Sequence, residues 1–222
     1  GCQTIGDALS GYLAEDGDKI VGQDGFSTFY NGKWTGTLSS FETGKGYMMY
    51  TSQAKTFSFG TPAMAINVRR IFKSNLITAK HGVDKYAYPN VMGIVASLCK
   101  GEETVLPHQL SLLVYVDGEC RGVGQWIDGK IYLTVYGIGG ETLEFFAWDE
   151  ISDTCYTISE HMKFSSGVYG SMASPCVFYI GAADATSIEQ VNKDENMPVR
   201  EIEGYYNLMG TRVSDKSAPM VS

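Results

Sequence analysis

The 222-residue chain is poor in charge: 19% of its residues are Asp, Glu, Lys or Arg, against about 25% in an average soluble domain. Basic residues are the scarcer sign, at 17 against 25 acidic ones, and the net charge of -8 argues against nucleic acid as a partner. Proline is scarce at 6 residues, whereas glycine is abundant at 26. No apolar run approaches the roughly 18 residues that a membrane helix needs, so we predict no transmembrane segment.

Motifs for catalysis and metal binding are also missing. His81, His108 and His161 are far apart and belong to no H-E-x-x-H pattern, and there is no C-x-x-C pair. There is no G-x-S-x-G nucleophile elbow, and residues 137–140 open no predicted helix that could hold a phosphate. We therefore predict a protein that is not an enzyme and has no cofactor and no metal. A cysteine–histidine hydrolase is the remaining enzymatic alternative.

The cysteines support neither a zinc site nor a disulfide framework. Cys99, Cys120, Cys155 and Cys176 are widely spaced in apolar, strand-like contexts, so we expect buried free thiols, with one disulfide among them as the alternative. The first residues show no basic segment followed by an apolar one, so we expect any signal peptide to have been removed already. Cys2 offers an alternative role as a lipid-attachment site.

Three aspartates near the start, Asp16, Asp18 and Asp24, resemble part of a calcium-binding loop. The D-x-D-x-D-G spacing and the distal Glu of such a loop are missing. We therefore expect solvated carboxylates in turns and no bound cation.

The first 13 residues have a helical pattern. Thr4 and Asp7 have the spacing of a capping box, and the segment 4–13 places apolar side chains on one stripe. The residues of that stripe are Ile5, Leu9, Tyr12 and Leu13.

From residue 20 onward the apolar pattern alternates with the period of a strand. Three dipeptides favour tight hairpin turns: Asn31-Gly32, Asp117-Gly118 and Asp128-Gly129. The first of these turns predicts that Phe29 lies opposite Trp34. Strands of 6 to 8 residues separated by such turns indicate a sandwich or barrel.

These patterns predict a mainly β chain in three parts. Residues 1–61 form a small module with a short N-terminal helix and a β-meander. Residues 62–181 form an immunoglobulin-like antiparallel β-sandwich. Residues 182–222 form a polar linker and a tail strand.

Several strings resemble recurrent β-modules of large secreted and surface proteins of Gram-negative gut anaerobes. Residues 20–38 with 42–47 resemble a first module, and residues 116–123, 132–137 and 141–145 resemble the sandwich module that often follows it. Residues 203–213 are similar to the start of the tails that such proteins use for export and surface attachment. The sequence departs from the pattern of these modules at two points. It lacks the Trp-containing strand that precedes the helix, and it lacks the closing Lys-Gly-x-Tyr-Ile-Val segment of the tail.

The resemblance implies an extracytoplasmic, non-catalytic structural or adhesive module that adjoins other domains of a larger protein and binds a surface glycan or a protein. The alternative is a carbohydrate-binding module that uses exposed aromatic rings. Trp126 falls on an apolar face and is expected in the core. Trp148 is out of phase with Leu143 and is the first candidate for a ligand-binding ring, and Trp34 is a half-exposed second candidate.

Overall fold

The computed structural model describes residues 2–58, 81–107 and 109–183, and two short strands, β16 (Tyr205–Tyr206) and β17 (Arg212–Val213). The chain divides into two compact units, Gly1–Ser187 and Ile188–Ser222, and in the second unit β16 and β17 pair antiparallel. The described part is mainly β, as predicted. None of its helices has the length and apolar character that crossing a membrane requires.

Residues 2–58, here called the first module, contain one helix and six strands. A four-stranded antiparallel sheet has the order β4-β3-β2-β6, and β1 pairs with β5 beside it. The elements are β1 (Cys2–Thr4), α1 (Ile5–Ala8), β2 (Lys19–Gly22), β3 (Gly25–Tyr30), β4 (Lys33–Gly36), β5 (Ser40–Glu42) and β6 (Tyr47–Tyr50).

The helix begins where the capping pattern predicts but is shorter than expected. The Thr4 hydroxyl accepts a hydrogen bond from the Asp7 backbone N–H at 3.1 Å and donates one to the Asp7 carboxylate at 2.6 Å. Most of the predicted apolar stripe is buried, but Leu13 is 86% exposed because α1 ends at Ala8, before the turn that would have brought Leu13 onto the stripe.

The three predicted hairpin turns form as expected. Asn31 and Gly32 have φ values of 48° and 80°, which is the left-handed conformation that this turn requires. Phe29 lies opposite Trp34 as predicted, with their ring centroids 5.3 Å apart. The turns at residues 117–118 and 128–129 have the same positive φ values and join longer strands in the same way.

Those longer strands form a barrel of seven strands. Its seven strands are β7 (Asn90–Lys100), β9 (Ser111–Val116), β10 (Glu119–Ile127), β11 (Lys130–Gly137), β12 (Thr142–Asp149), β13 (Thr154–Lys163) and β15 (Cys176–Ala183). Two short strands, β8 (Glu103–Thr104) and β14 (Gly167–Tyr169), also pair with β7. Neighbours follow the order β11-β10-β9-β12-β13-β15-β7, and β7 also pairs with β11.

The strand β7 closes the barrel. Ala96 pairs with Ile131 of β11 on one side, antiparallel, and with Cys176 of β15 on the other side, parallel. The expected immunoglobulin-like sandwich is not confirmed: the edges that would separate two sheets are hydrogen-bonded to each other, and β14 and β15 run parallel to β7.

The barrel interior is filled by apolar side chains at alternate strand positions. Seventeen buried residues form this core, which comprises Met92, Ile94, Ala96, Leu98, Leu112, Val114, Val116, Ile131, Leu133, Val135, Leu143, Phe145, Ala147, Ile158, Phe164, Phe178 and Ile180.

The first module packs on the outside of the barrel. The Phe26 ring is stacked on the Tyr132 ring at 5.7 Å, and both side chains are fully buried. Gly93 of β7 permits this approach, because a Cβ atom there would lie 2.7 Å from the Phe26 ring. We call this contact, together with the buried neighbours Val91 and Val95, the junction. The predicted boundaries at residues 61 and 181 remain predictions.

Candidate functional site

Trp148 lies on the outer side of the barrel, in the phase that the sequence predicts, but it is only 3% exposed. Its ring packs with Leu113 and Val123, and the His81 ring meets it edge-on at 4.9 Å. The Trp148 indole N–H donates a hydrogen bond to Asp153 at 3.1 Å. The ring therefore does not present a flat exposed face, because His81 and Val83 pack over it.

Trp34 is half-buried, as expected. It packs against the small core of the first module, and its ring meets Phe29 edge-on. Trp148 belongs to a different cluster on the barrel, so the two predicted ligand-binding rings do not form one surface. Trp126 is half-buried against the barrel core, and its indole N–H donates to the Leu110 carbonyl at 2.7 Å.

A concave surface lies at one end of the barrel. This groove has a volume of about 340 Å³ and is lined by both apolar and polar side chains. It lies where β7 and β12 end and where β13 begins. Its lining residues are Lys100, Val105, Gln109, Leu110, Asp149, Ile151, Tyr156 and Ile180, and we call it the barrel-end groove.

The Asp149 carboxylate of this groove is held by the turn that follows it, and Lys100 contacts an aromatic ring. The Lys100 ammonium lies 5.8 Å from the centre of the Tyr156 ring. The Asp149 carboxylate accepts hydrogen bonds from the Ser152 and Ile151 backbone N–H groups, and hydrogen bonding from Ser152 holds the pKa of Asp149 below its usual value. The groove therefore offers a fixed carboxylate, an ammonium and an aromatic ring close together, beside an Ile151 side chain that is 96% exposed.

A second groove, of about 320 Å³, lies in the first module between α1 and β6. Its apolar lining includes Leu9, Met49 and Phe57, and its two charged groups are Glu42 and Lys45. These charges are paired with each other at 2.9 Å. The groove is therefore mainly an apolar surface of the first-module core.

Asp24 joins the first module to the segment that precedes β7. Its carboxylate accepts hydrogen bonds from Lys45 and Lys85. Burial opposes ionisation of Asp24, but the two ammonium groups outweigh it and hold the pKa of this carboxyl below its usual value. The neighbouring Gln23 amide donates to the Lys85 carbonyl at 2.5 Å. These contacts fix the segment against the first module.

Arg121 contacts the segment that precedes β7 through the ring of Tyr88. This residue was not identified from the sequence. It is 6% exposed on β10, and its guanidinium lies 3.6 Å from the centre of the Tyr88 ring. It pairs with Glu141 at 3.3 Å and with Glu119 at 3.5 Å, and the Tyr88 hydroxyl donates to Glu119 at 2.7 Å. A single Arg within a strand pattern gives no sign of this network, because its partners lie in three separate segments.

The expectation of solvated aspartates is wrong for Asp18, which is 1% exposed. Its carboxylate accepts hydrogen bonds from the Tyr12 hydroxyl at 2.7 Å and the Glu15 backbone N–H at 2.9 Å, and Lys55 lies 3.4 Å away. Burial opposes its ionisation, but these donors outweigh it and hold the pKa below its usual value. Asp18 thereby ties the chain after β6 to the end of the helical segment.

The four described cysteines outside the first module form no disulfide, as expected, but only Cys120 and Cys155 are buried, whereas Cys99 and Cys176 are half-buried. Burial raises the pKa of Cys120 to about 11 and also raises that of Cys176, so neither thiol favours the thiolate form that a nucleophile needs. His161 is exposed, and His108 lies outside the described residues. Within the described part of the chain, no three His, Cys, Asp or Glu side chains converge as a metal site would require.

Comparison with known proteins gives no relative. No family model matches the chain, and neither a curated protein nor a solved structure matches it.

Proposed function

We propose that the chain is a non-catalytic structural or adhesive module of a cell-surface or secreted protein. The observation that carries the proposal is how the least exposed charges are paired: Asp18 and Arg121, which are buried, and Asp24, which is half-buried, each form ion pairs between segments distant in sequence. A catalytic acid or base must reach the substrate. These groups reach other parts of the same chain, where they hold loops in place.

The extracytoplasmic location rests on the sequence resemblance of residues 20–38 and 116–123 to surface modules. A lipid at Cys2 and adjoining domains of a larger protein are parts of the same proposal. Its partners would be a surface glycan or a protein ligand.

An activity screen tests the non-catalytic part of this proposal. We expect the purified chain to give no turnover of chromogenic esters, glycosides or peptide substrates above the buffer rate. His161→Ala and Cys155→Ala serve as comparison variants. Turnover by the wild-type chain that either substitution abolishes would contradict the proposal.

A second candidate function is carbohydrate binding at the barrel-end groove. The specific observation is the grouping of the Tyr156 ring with Lys100, Asp149 and Gln109, since sugars are bound by rings together with polar side chains. This site replaces Trp148, whose burial leaves no exposed ring face, and Trp34, whose ring packs on Phe29.

A glycan array with matched variants tests this candidate. We expect a retained glycan to be lost in Lys100→Gln and Tyr156→Ala and kept in Tyr179→Ala, which removes a 52% exposed ring outside the groove. If no glycan is retained, or if Tyr179→Ala loses it equally, carbohydrate binding at this groove is wrong.

A further inference from the structure

The first-module sheet has one edge docked and one edge open. At the docked edge, β4, the Lys33 ammonium pairs with Asp128 of the barrel at 2.5 Å, and just beyond β4 the Thr37 and Thr134 hydroxyls lie 3.0 Å apart. At the other edge, β6 pairs with β2 alone among the described residues. The barrel therefore holds the sheet with β6 directed away from the docked edge.

The open strand carries none of the features that normally protect a sheet edge. Such edges are blunted by Lys, by Pro or by a bulge, whereas β6 reads Tyr-Met-Met-Tyr and follows an uninterrupted register with β2. Met48 and Tyr50 are 55% and 40% exposed. They lie on one face of the sheet, at the open edge of the face that packs on the barrel through Val21 and Phe26. An uncharged, apolar, regular edge of this kind favours pairing with another strand.

We propose that β6 pairs antiparallel with β6 of a second copy of this chain, about a two-fold axis perpendicular to the sheet. The inference goes beyond the proposed function and does not depend on it. A two-fold axis places the same strand on both sides of the interface, so the strand must complement itself.

The alternation of side chains limits the register of this pair. Residues on one face of the strand must lie opposite residues on the same face of the second strand, because a one-residue shift would bring side chains of opposite faces against each other. If Met49 lies opposite Met49 of the second copy, Met48 lies opposite Tyr50 of that copy, twice per dimer. Each contact joins a thioether to an aromatic ring, a favourable combination. The same two side chains already meet within one copy, where the Tyr50 hydroxyl lies 3.9 Å from the Met48 sulfur.

This self-complementarity is the reason to assign the edge to a second copy. A different protein would need a strand that matches both faces of β6, whereas the chain supplies a matching strand in a fixed orientation. Four residues make a short interface, so we expect a weak dimer.

Sedimentation velocity over a concentration series reaching about 1 mM tests the proposal. We expect the wild-type chain to dimerise within this range. The double variant Met48→Lys/Tyr50→Lys places ammonium groups opposite each other twice, and we expect association about tenfold weaker or undetectable. A wild-type chain that remains monomeric throughout the series would overturn the proposal.

Two further variants separate strand pairing from general loss of apolar surface. In Met48→Lys/Tyr50→Glu the proposed register sets opposite charges against each other, so we expect dimerisation to return. Tyr179→Lys replaces an exposed tyrosine on a strand that has paired neighbours on both sides, and we expect it to leave dimerisation unchanged. Association that the charge pair does not restore, or that Tyr179→Lys weakens equally, would overturn the proposal. Hydrogen exchange of each variant at low concentration confirms that the monomer is folded.

Discussion

The barrel and the first module are stabilised in different ways. The barrel has an interior of seventeen buried apolar residues and a sheet that closes on itself. The first module has a core of five buried apolar residues, a buried carboxylate at Asp18, and the junction with the barrel through Phe26. From this difference we expect the barrel to be stable without the first module, and the first module to depend on a few buried polar groups and on the surface against which it packs.

The largest effect is expected from Phe26→Ala, which removes the ring at the centre of the junction. Because Phe26 is fully buried, we expect the free energy of unfolding of the first module to fall by about 3–5 kcal/mol, as measured by urea denaturation. Phe29→Ala, on the same strand but half-buried, is the matched control and should cost less. An equal loss in the two variants would show that the junction has no special part in stability.

A smaller effect is expected from Asp18→Asn, which weakens the hydrogen bonds from Tyr12 and Lys55. Hydrogen bonds to charged groups contribute about 1.5–3 kcal/mol, so we expect a decrease in the free energy of unfolding within that range. Asp16→Asn changes an exposed carboxylate nearby and is the control. If both variants are equally stable, the buried carboxylate does not support the first module.

Acid should weaken the first module before the barrel core. The pKa values of Asp18 and Asp24 lie below the usual value in the folded chain, so their contribution is present above pH about 4 and is lost as the pH falls towards the folded-state pKa values. Hydrogen exchange at pH 7 and pH 3 measures this difference. We expect protection to fall more in β2 and β3 than in β9 and β12, and the opposite order would contradict the account.

The smallest effect is expected from Lys33→Ala. The ion pair with Asp128 joins the first module to the barrel, but both side chains are largely exposed, at 60% and 44%. Such pairs contribute about 0–1 kcal/mol, so thermal unfolding should change little. A loss as large as that of Phe26→Ala would mean that the junction is held by charge and not by burial.

The same contrast explains what could be predicted from the sequence. The turn at Asn31-Gly32 and the pairing of Phe29 with Trp34 depend on neighbouring residues, and both were predicted correctly. Closure of the barrel depends on Ala96 meeting Ile131 and Cys176, which are far away along the chain. A sandwich and a barrel share the same strand pattern and differ only in such long-range contacts.

The candidate sites follow the same rule. The phase of Trp148 was predicted from its strand. Its burial was not, because His81, which packs against its ring, lies far away along the chain. The barrel-end groove was missed because Asp149 and Tyr156 lie on the paired strands β12 and β13, whereas Lys100 lies on β7, which is distant in sequence and reaches them only through β15.

Hydrogen exchange of Gly93→Ala tests most directly the claim that the first module depends on its junction with the barrel. The added methyl group points out of the barrel at the Phe26 ring, and Gly139→Ala, where nothing lies within 4 Å, is the control. We predict that amides of β2 and β3 lose protection in Gly93→Ala while those of β9 and β12 keep it, and that Gly139→Ala changes neither. Equal loss in both regions, or no loss in β2 and β3, would contradict the account.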